Sequence, residues 1–126
     1  MTSGYTDLVR DHFENPRNAG PMANPDAVGD ETNPVCGDTT RLMLRINGER
    51  IVEARFQTSG CPAAIATSSV CTEIVRGREL GEAERLTKEE FARALGGLPP
   101  DKMHCSVLAA GALRKAIQDY RQRQAA

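Results

Sequence analysis

The sequence predicts an α+β fold, with helices packed on one face of a small antiparallel sheet. Three observations predict it. Leu42, Leu44 and Ile46 alternate with Arg41, Met43 and Arg45, and alternation resumes beyond Asn47-Gly48. Period two marks strands with one buried face, and Asn-Gly marks the hairpin between them. Segments 62–76, 87–95 and 106–123 each carry helix start or stop chemistry, and a helical period opens the chain.

The elements follow in order. Tyr5 to Asn15 places Leu8, Val9, His12 and Phe13 near one face of a short amphipathic helix, ended by Asn15-Pro16 and Asn18-Ala19-Gly20. Gly20 to Pro34, with three prolines and several Asn and Asp, reads as an irregular surface segment. The return strand, Ile51 to Thr58, sets Val52, Ala54 and Phe56 on one side against Glu53, Arg55 and Gln57. Pro62 suits the first position of a helix of small residues that Gly77 stops. Thr87 with Glu90 three residues on is a capping pair for the next helix, which Gly96-Gly97-Leu98-Pro99-Pro100 breaks. Leu113, Ile117 and Tyr120 share a face of the last helix.

Length and composition bound the function. At 126 residues, 40% of them hydrophobic, the chain is expected to form a single domain spanning 1–126 with a modest core. A net charge of −1 and an aromatic content of 4% argue against nucleic acid, which needs basic surface and stacking platforms. No apolar run reaches the roughly 20 residues of a membrane span, and Met1 to Glu14 carries no signal or transit pattern. The expectation is a cytoplasmic protein without a membrane partner. In a reducing compartment the four cysteines, at 36, 61, 71 and 105, are core filler, metal or cluster ligands, or nucleophiles.

Context separates them in part. Cys36, in Pro34-Val35-Cys36-Gly37-Asp38, precedes the first strand. Cys61 lies where the second strand turns into a helix, and Cys105, after His104, lies where the last helix begins. Helix N-termini favour thiolate at Cys61 and Cys105. Asp38 and His104 add an oxygen and a nitrogen donor, which turns these three cysteines towards one shared site. Cys71 is read as core: ten residues beyond Cys61 on one helix is about 15 Å along the axis. There is no Cys-x-x-Cys, so neither a zinc ribbon nor a ferredoxin pattern is met.

In combination the motifs become specific. Asn33-Pro34-Val35-Cys36-Gly37-Asp38, Gly60-Cys61 with Ala64-Ile65-Ala66-Thr67-Ser68-Ser69, and Leu98-Pro99-Pro100-Asp101-Lys102-Met103-His104-Cys105-Ser106 resemble the IscU/NifU-type iron–sulfur cluster assembly scaffolds. His12 to Asn18 and Ala54 to Thr58 extend the resemblance over nearly the whole chain. It implies the SufE/IscU-like fold with a three-stranded sheet, the first strand lying just before the hairpin. It implies a transient 2Fe–2S cluster on Cys36, Cys61 and Cys105, with His104 or Asp38 at the fourth position and zinc as an occupant of the cluster-free form. Cys105 matches the persulfide acceptor of the family. The implied partners are a cysteine desulfurase, apo iron–sulfur proteins that receive the cluster, and a DnaK-type chaperone with its J-type co-chaperone, bound through Leu98 to Lys102.

The departures from the family pattern carry information as well. Glu31-Thr32 replaces an apolar residue and Gly, which predicts a weaker or displaced first strand. Asp101 replaces an apolar residue of the chaperone motif, which weakens docking on an apolar groove. Pro62 replaces a small residue after Cys61. His104 before Cys105, and no long insertion between Cys61 and Cys105, favour the IscU type over the zinc-bound, sulfur-accepting SufU type. Three functions compete: a scaffold that is not a turnover catalyst, a SufU-like zinc-bound sulfur acceptor, and a cysteine-nucleophile enzyme. The last ranks lowest, because adjacent His104 and Cys105 are expected to point apart.

Overall fold

A computed structural model describes residues 4–125. Three antiparallel strands, β1 (Ala27–Thr32), β2 (Thr39–Asn47) and β3 (Arg50–Ser59), lie in the order β1-β2-β3. Helices α2 (Pro62–Val75) and α5 (Cys105–Ala125) cover one face of the sheet. Helix α1 (Asp7–Glu14) packs on α2, while α3 (Leu80–Glu84) and α4 (Lys88–Ala94) pack on α5. The expected α+β architecture with a three-stranded sheet is present.

The core lies between the sheet and the two long helices. Leu42, Leu44, Ala54 and Phe56 from the strands meet Val70, Cys71 and Val75 of α2 and Leu113 and Ile117 of α5. Each large side chain buried there is worth about 1.5–3 kcal/mol. Helix α2 is buried on nearly every side, which its small residues allow. Its inward hydroxyls are satisfied locally: Thr67 and Ser68 donate to the carbonyls of Ala63 and Ala64 at 2.6 and 2.9 Å.

Local chemistry starts the helices where the residues predict. The Thr6 hydroxyl accepts from Val9 N–H at 3.1 Å, and Thr87 caps α4 through Glu90 N–H at 3.3 Å. Pro62 occupies the first turn of α2, with Cys61 as its N-cap. On α1 only Val9 and His12 turn inward, while Leu8 and Phe13 remain exposed. A two-turn helix laid against one neighbour buries a narrower stripe than the four residues expected.

Segment 20–34 is not irregular throughout, because it contains β1. The strand reads Ala-Val-Gly-Asp-Glu-Thr and lacks bulky inward residues for a physical reason. A Cβ on Gly29 would stand 2.0 Å from the Ala112 carbonyl oxygen, so α5 crosses β1 almost backbone to backbone. Glu31 and Thr32 do not displace the strand; they pair with Thr40 and Thr39. The Glu31 carboxylate accepts from Lys115 Nζ at 2.8 Å across Gly111, whose missing side chain leaves it room.

The β3 face is corrected at one residue. The register slips between Arg45 and Ile46, so Ile46 pairs with Ile51 and Arg45 with Glu53. This bulge turns Ile51 into the core and leaves Val52 outside, 40% exposed. Met43 is buried although it points away from the helices. The chain from Gly20, bonded to Phe56 O, to Asp26, bonded to Leu44 O, crosses that face. Arg45 donates to the carbonyls of Ala23 and Asn24 there at 2.6 Å each.

Candidate metal centre

Three element junctions converge at one end of the sheet. The first is the loop from Asn33 to Asp38 between β1 and β2. Asn33 N–H donates to Asp38 O and Gly37 N–H to Asn33 O, both at 2.8 Å, and Asn33 Oδ1 accepts from Val35 N–H. Gly37, at φ 79°, supplies the left-handed residue that closes the loop. Val35 stands 91% exposed and Cys36 is exposed beside it. Asp38 points back to the sheet, where its Oδ2 accepts from Cys61 N–H at 3.3 Å.

The second junction is Gly60-Cys61. A Cβ on Gly60 would lie 2.6 Å from the Asp38 carboxyl carbon, so glycine is what lets the carboxylate reach Cys61. Cys61 has an extended backbone and caps α2 without using its sulfur. The thiol is therefore available. The third junction is His104-Cys105, after a short 3-10 turn at Pro100–Lys102. Cys105 is the first residue of α5, 1% exposed, and its Sγ lies 3.2 Å from Cys61 Sγ.

The donor atoms of Asp38, Cys61 and Cys105 all lie within 4.8 Å of one another. Cys36 stays outside this compact triad on its exposed loop, yet its charge reaches Cys105. His104 is exposed, but its ring folds towards its neighbour and brings Nε2 to 3.6 Å from Cys105 Sγ. The two side chains do not point apart. Cys71 is sealed in α2, where burial pushes its thiol up to about 12.

The electrostatics of Cys105 reverse one expectation. Its position at the head of α5 favours thiolate, but burial and the hydrogen bond with Cys61 push its thiol up to about 12. The charges of Cys61, Asp38 and Cys36 act in the same direction. A cation placed among these donors would remove that repulsion. Two thiols and a carboxylate are a fitting set, since thiolates select zinc and iron–sulfur units and the carboxylate adds a hard donor.

Tyr5 and Lys102 complete the surroundings, and the sequence reading assigned neither to the site. Burial, then the Cys61 charge, raises the Tyr5 phenol above its ordinary value; Tyr5 and Cys61 in turn hold the Lys102 ammonium charged. No local signal marks Tyr5, which stands far from the cysteines in the chain. Beside the site a cleft opens between Thr32, Pro34, His104 and Val107.

Fold and site together define a small α+β protein that gathers thiol and carboxylate donors at loop and helix ends. Residues 4–126 match the NifU-like N-terminal domain, and the chain belongs to that family. It is 53% identical over 116 residues to the iron–sulfur cluster assembly scaffold protein IscU 1 of Archaeoglobus fulgidus, covering 92% of this chain and 76% of that one. To the IscU scaffold protein of Escherichia coli it is 45% identical over 126 residues, covering 97% and 98%. The crystal structure of a Brucella abortus NifU-like N-terminal protein superposes with a TM-score of 0.76 at 20% identity over 94% of each chain, a likeness of fold. Among the described residues no helix is long and apolar enough to cross a membrane.

Proposed function

We propose that the protein is a scaffold for iron–sulfur cluster assembly, taking up sulfur and iron as cargo and passing a 2Fe–2S cluster to apo proteins. The observation that carries this reading is the approach of Asp38, Cys61 and Cys105 to within 4.8 Å, in a chain about half identical to named scaffolds. Cys36, Cys61 and Cys105 are the thiolate ligands, Cys36 closing in from its exposed loop. Asp38 or His104 fills the fourth position. Cys105 receives sulfur as a persulfide from a cysteine desulfurase, and the exposed rim of Val35 and His104 lies open to that partner. The protein turns over no substrate of its own and acts in the cytoplasm.

A weak fourth ligand suits a scaffold, because a cluster held by four thiolates would be hard to release. Asp38→Ala is expected to slow cluster loss to an acceptor, and faster loss would count against that role. Docking of a DnaK-type chaperone and J-type co-chaperone through Leu98 to Lys102 is weakened by the acid at Asp101. A second reading draws on the compactness of the same triad. Tetrahedral zinc with Zn–S bonds of about 2.3 Å suits two cysteines and a carboxylate with Cys36 or His104 as fourth ligand, which would make the protein a SufU-like sulfur acceptor.

Anaerobic reconstitution with iron, cysteine and a cysteine desulfurase separates the readings. A scaffold shows thiolate-to-iron absorption with matched iron and sulfide, lost in Cys36→Ser and Cys61→Ser and kept in Cys71→Ser. A colourless protein that holds one zinc and still takes a persulfide belongs to the second reading.

A further inference from the structure

Sulfur delivered to Cys105 arrives as sulfane sulfur, while a cluster incorporates sulfide, so each atom needs an electron pair. We propose that Cys61 supplies that pair as a resolving thiol, closing a Cys61–Cys105 disulfide and expelling hydrosulfide. The step rests on the acceptor role of Cys105 given above. Its basis is the 3.2 Å separation of the two sulfurs in the reduced chain. From there the two sulfurs have about 1.2 Å left to close to a disulfide bond of about 2.05 Å.

The other thiols are worse placed. Cys36 lies outside the compact group on an exposed loop, and Cys71 is sealed within α2. Cys61 is held beside its target by its own N–H bond to Asp38 and by the Cys61 carbonyl, which accepts from Ile65 N–H at 3.1 Å.

The step is a thiol–disulfide exchange. The Cys61 thiolate attacks Cys105 Sγ, the inner sulfur of the persulfide, and the bond from Cys105 Sγ to the outer sulfur breaks. The outer sulfur leaves with the bonding pair as hydrosulfide. Cys61 is oxidised, the outer sulfur is reduced, and Cys105 stays at the disulfide level. A dithiol reductant then takes over the disulfide and restores both thiols as ligands. Between those events the site offers metal only Asp38, Cys36 and His104, so sulfide release and metal uptake alternate.

The test uses the metal-free full chain under anaerobic conditions, loaded with inorganic tetrasulfide as the sulfane donor, freed of excess by gel filtration and left without reductant. Wild type is expected to end with two hydrogens lost, the Cys61–Cys105 disulfide in its peptide map, and one hydrosulfide released per chain. Cys61→Ser, in which serine remains a good helix cap, is expected to keep one added sulfur on Cys105. Its sulfide release should be at least about tenfold slower until a dithiol is added. Cys71→Ser, which removes a thiol sealed within α2 and away from the site, should behave as wild type. A wild-type chain that retains the added sulfur, a disulfide to Cys36, or equal release from Cys61→Ser overturns the resolving role and leaves the acceptor reading standing. No added sulfur on Cys105 in Cys61→Ser removes the acceptor reading, and this step with it.

Discussion

The middle of α2 and the head of α5 each hold a buried cysteine, Cys71 and Cys105, and each thiol is pushed up to about 12. The causes differ. Around Cys71 burial acts alone, among side chains such as Val70 and Val75 that no ligand could use. Around Cys105 burial is joined by a second thiol at 3.2 Å and by the charges of Asp38 and Cys36. Depth in the protein therefore does not tell an inert thiol from a working one. The difference lies in whether other donors converge, and convergence happens where three elements end together rather than within a helix.

The largest expected effect is the contrast between two single substitutions. Cys105→Ser should abolish the absorption of reconstituted protein, while Cys71→Ser should leave it intact. If both lose it, the two regions are not chemically separate. In urea unfolding the order should reverse. Cys71→Ser places a hydroxyl in an apolar shell and should cost about 1–3 kcal/mol, whereas Cys105→Ser should cost less, its sulfur already lying among polar groups. Gly60→Ala probes how the donors are brought together. Its Cβ would sit 2.6 Å from the Asp38 carboxyl group and push it off Cys61 N–H. Zinc titration should show about tenfold weaker binding with unchanged helix content.

The smallest effect concerns the joint between α1 and α2. Ser69 Oγ accepts from Arg17 N–H at 2.8 Å, so its own proton is free for His12 Nδ1, also at 2.8 Å. Burial first, and then the Arg17 charge, hold His12 below its ordinary value of 6.5, while Glu73 and Asp11 pull the other way. The unfolded chain therefore takes up this proton before the folded one does. Its contribution to stability is complete above about pH 6.5 and is lost as pH falls through the folded value. Melting temperature should fall from pH 7.5 to 5.5, and fall less in His12→Gln. An equal fall in both would remove His12 as the cause.

Much of this was legible locally. Pro62 at a helix start, Thr87 with Glu90, and the alternation from Arg41 to Ile46 each follow from forces acting within a few residues. Strand β1 was expected only from the family resemblance and was not legible in its own residues, because its inward residues are small to admit α5 rather than large to fill a core. Nor was Val52, where the bulge shifts the phase of a correct alternation. Helix α3 escaped notice as well. Its five residues are held by a reciprocal cap between Glu79 and Glu82, and by the bridge of Glu79 to Arg50 across the fold.

For the site, sequence alone determined which residues stand at the ends of elements: Cys36 and Asp38 before β2, Cys61 at the head of α2, and His104 and Cys105 at the head of α5. Breaker and capping chemistry act over a few residues and leave that record in the chain. Tertiary structure alone decided that Asp38, Cys61 and Cys105 share one small volume, that Cys36 stays at the rim, and that Tyr5 and Lys102 belong to the same surroundings. Those separations depend on how α2 and α5 pack against the sheet, down to the backbone contact that Gly29 permits. Packing sums over contacts distant in sequence, and no local pattern records the result.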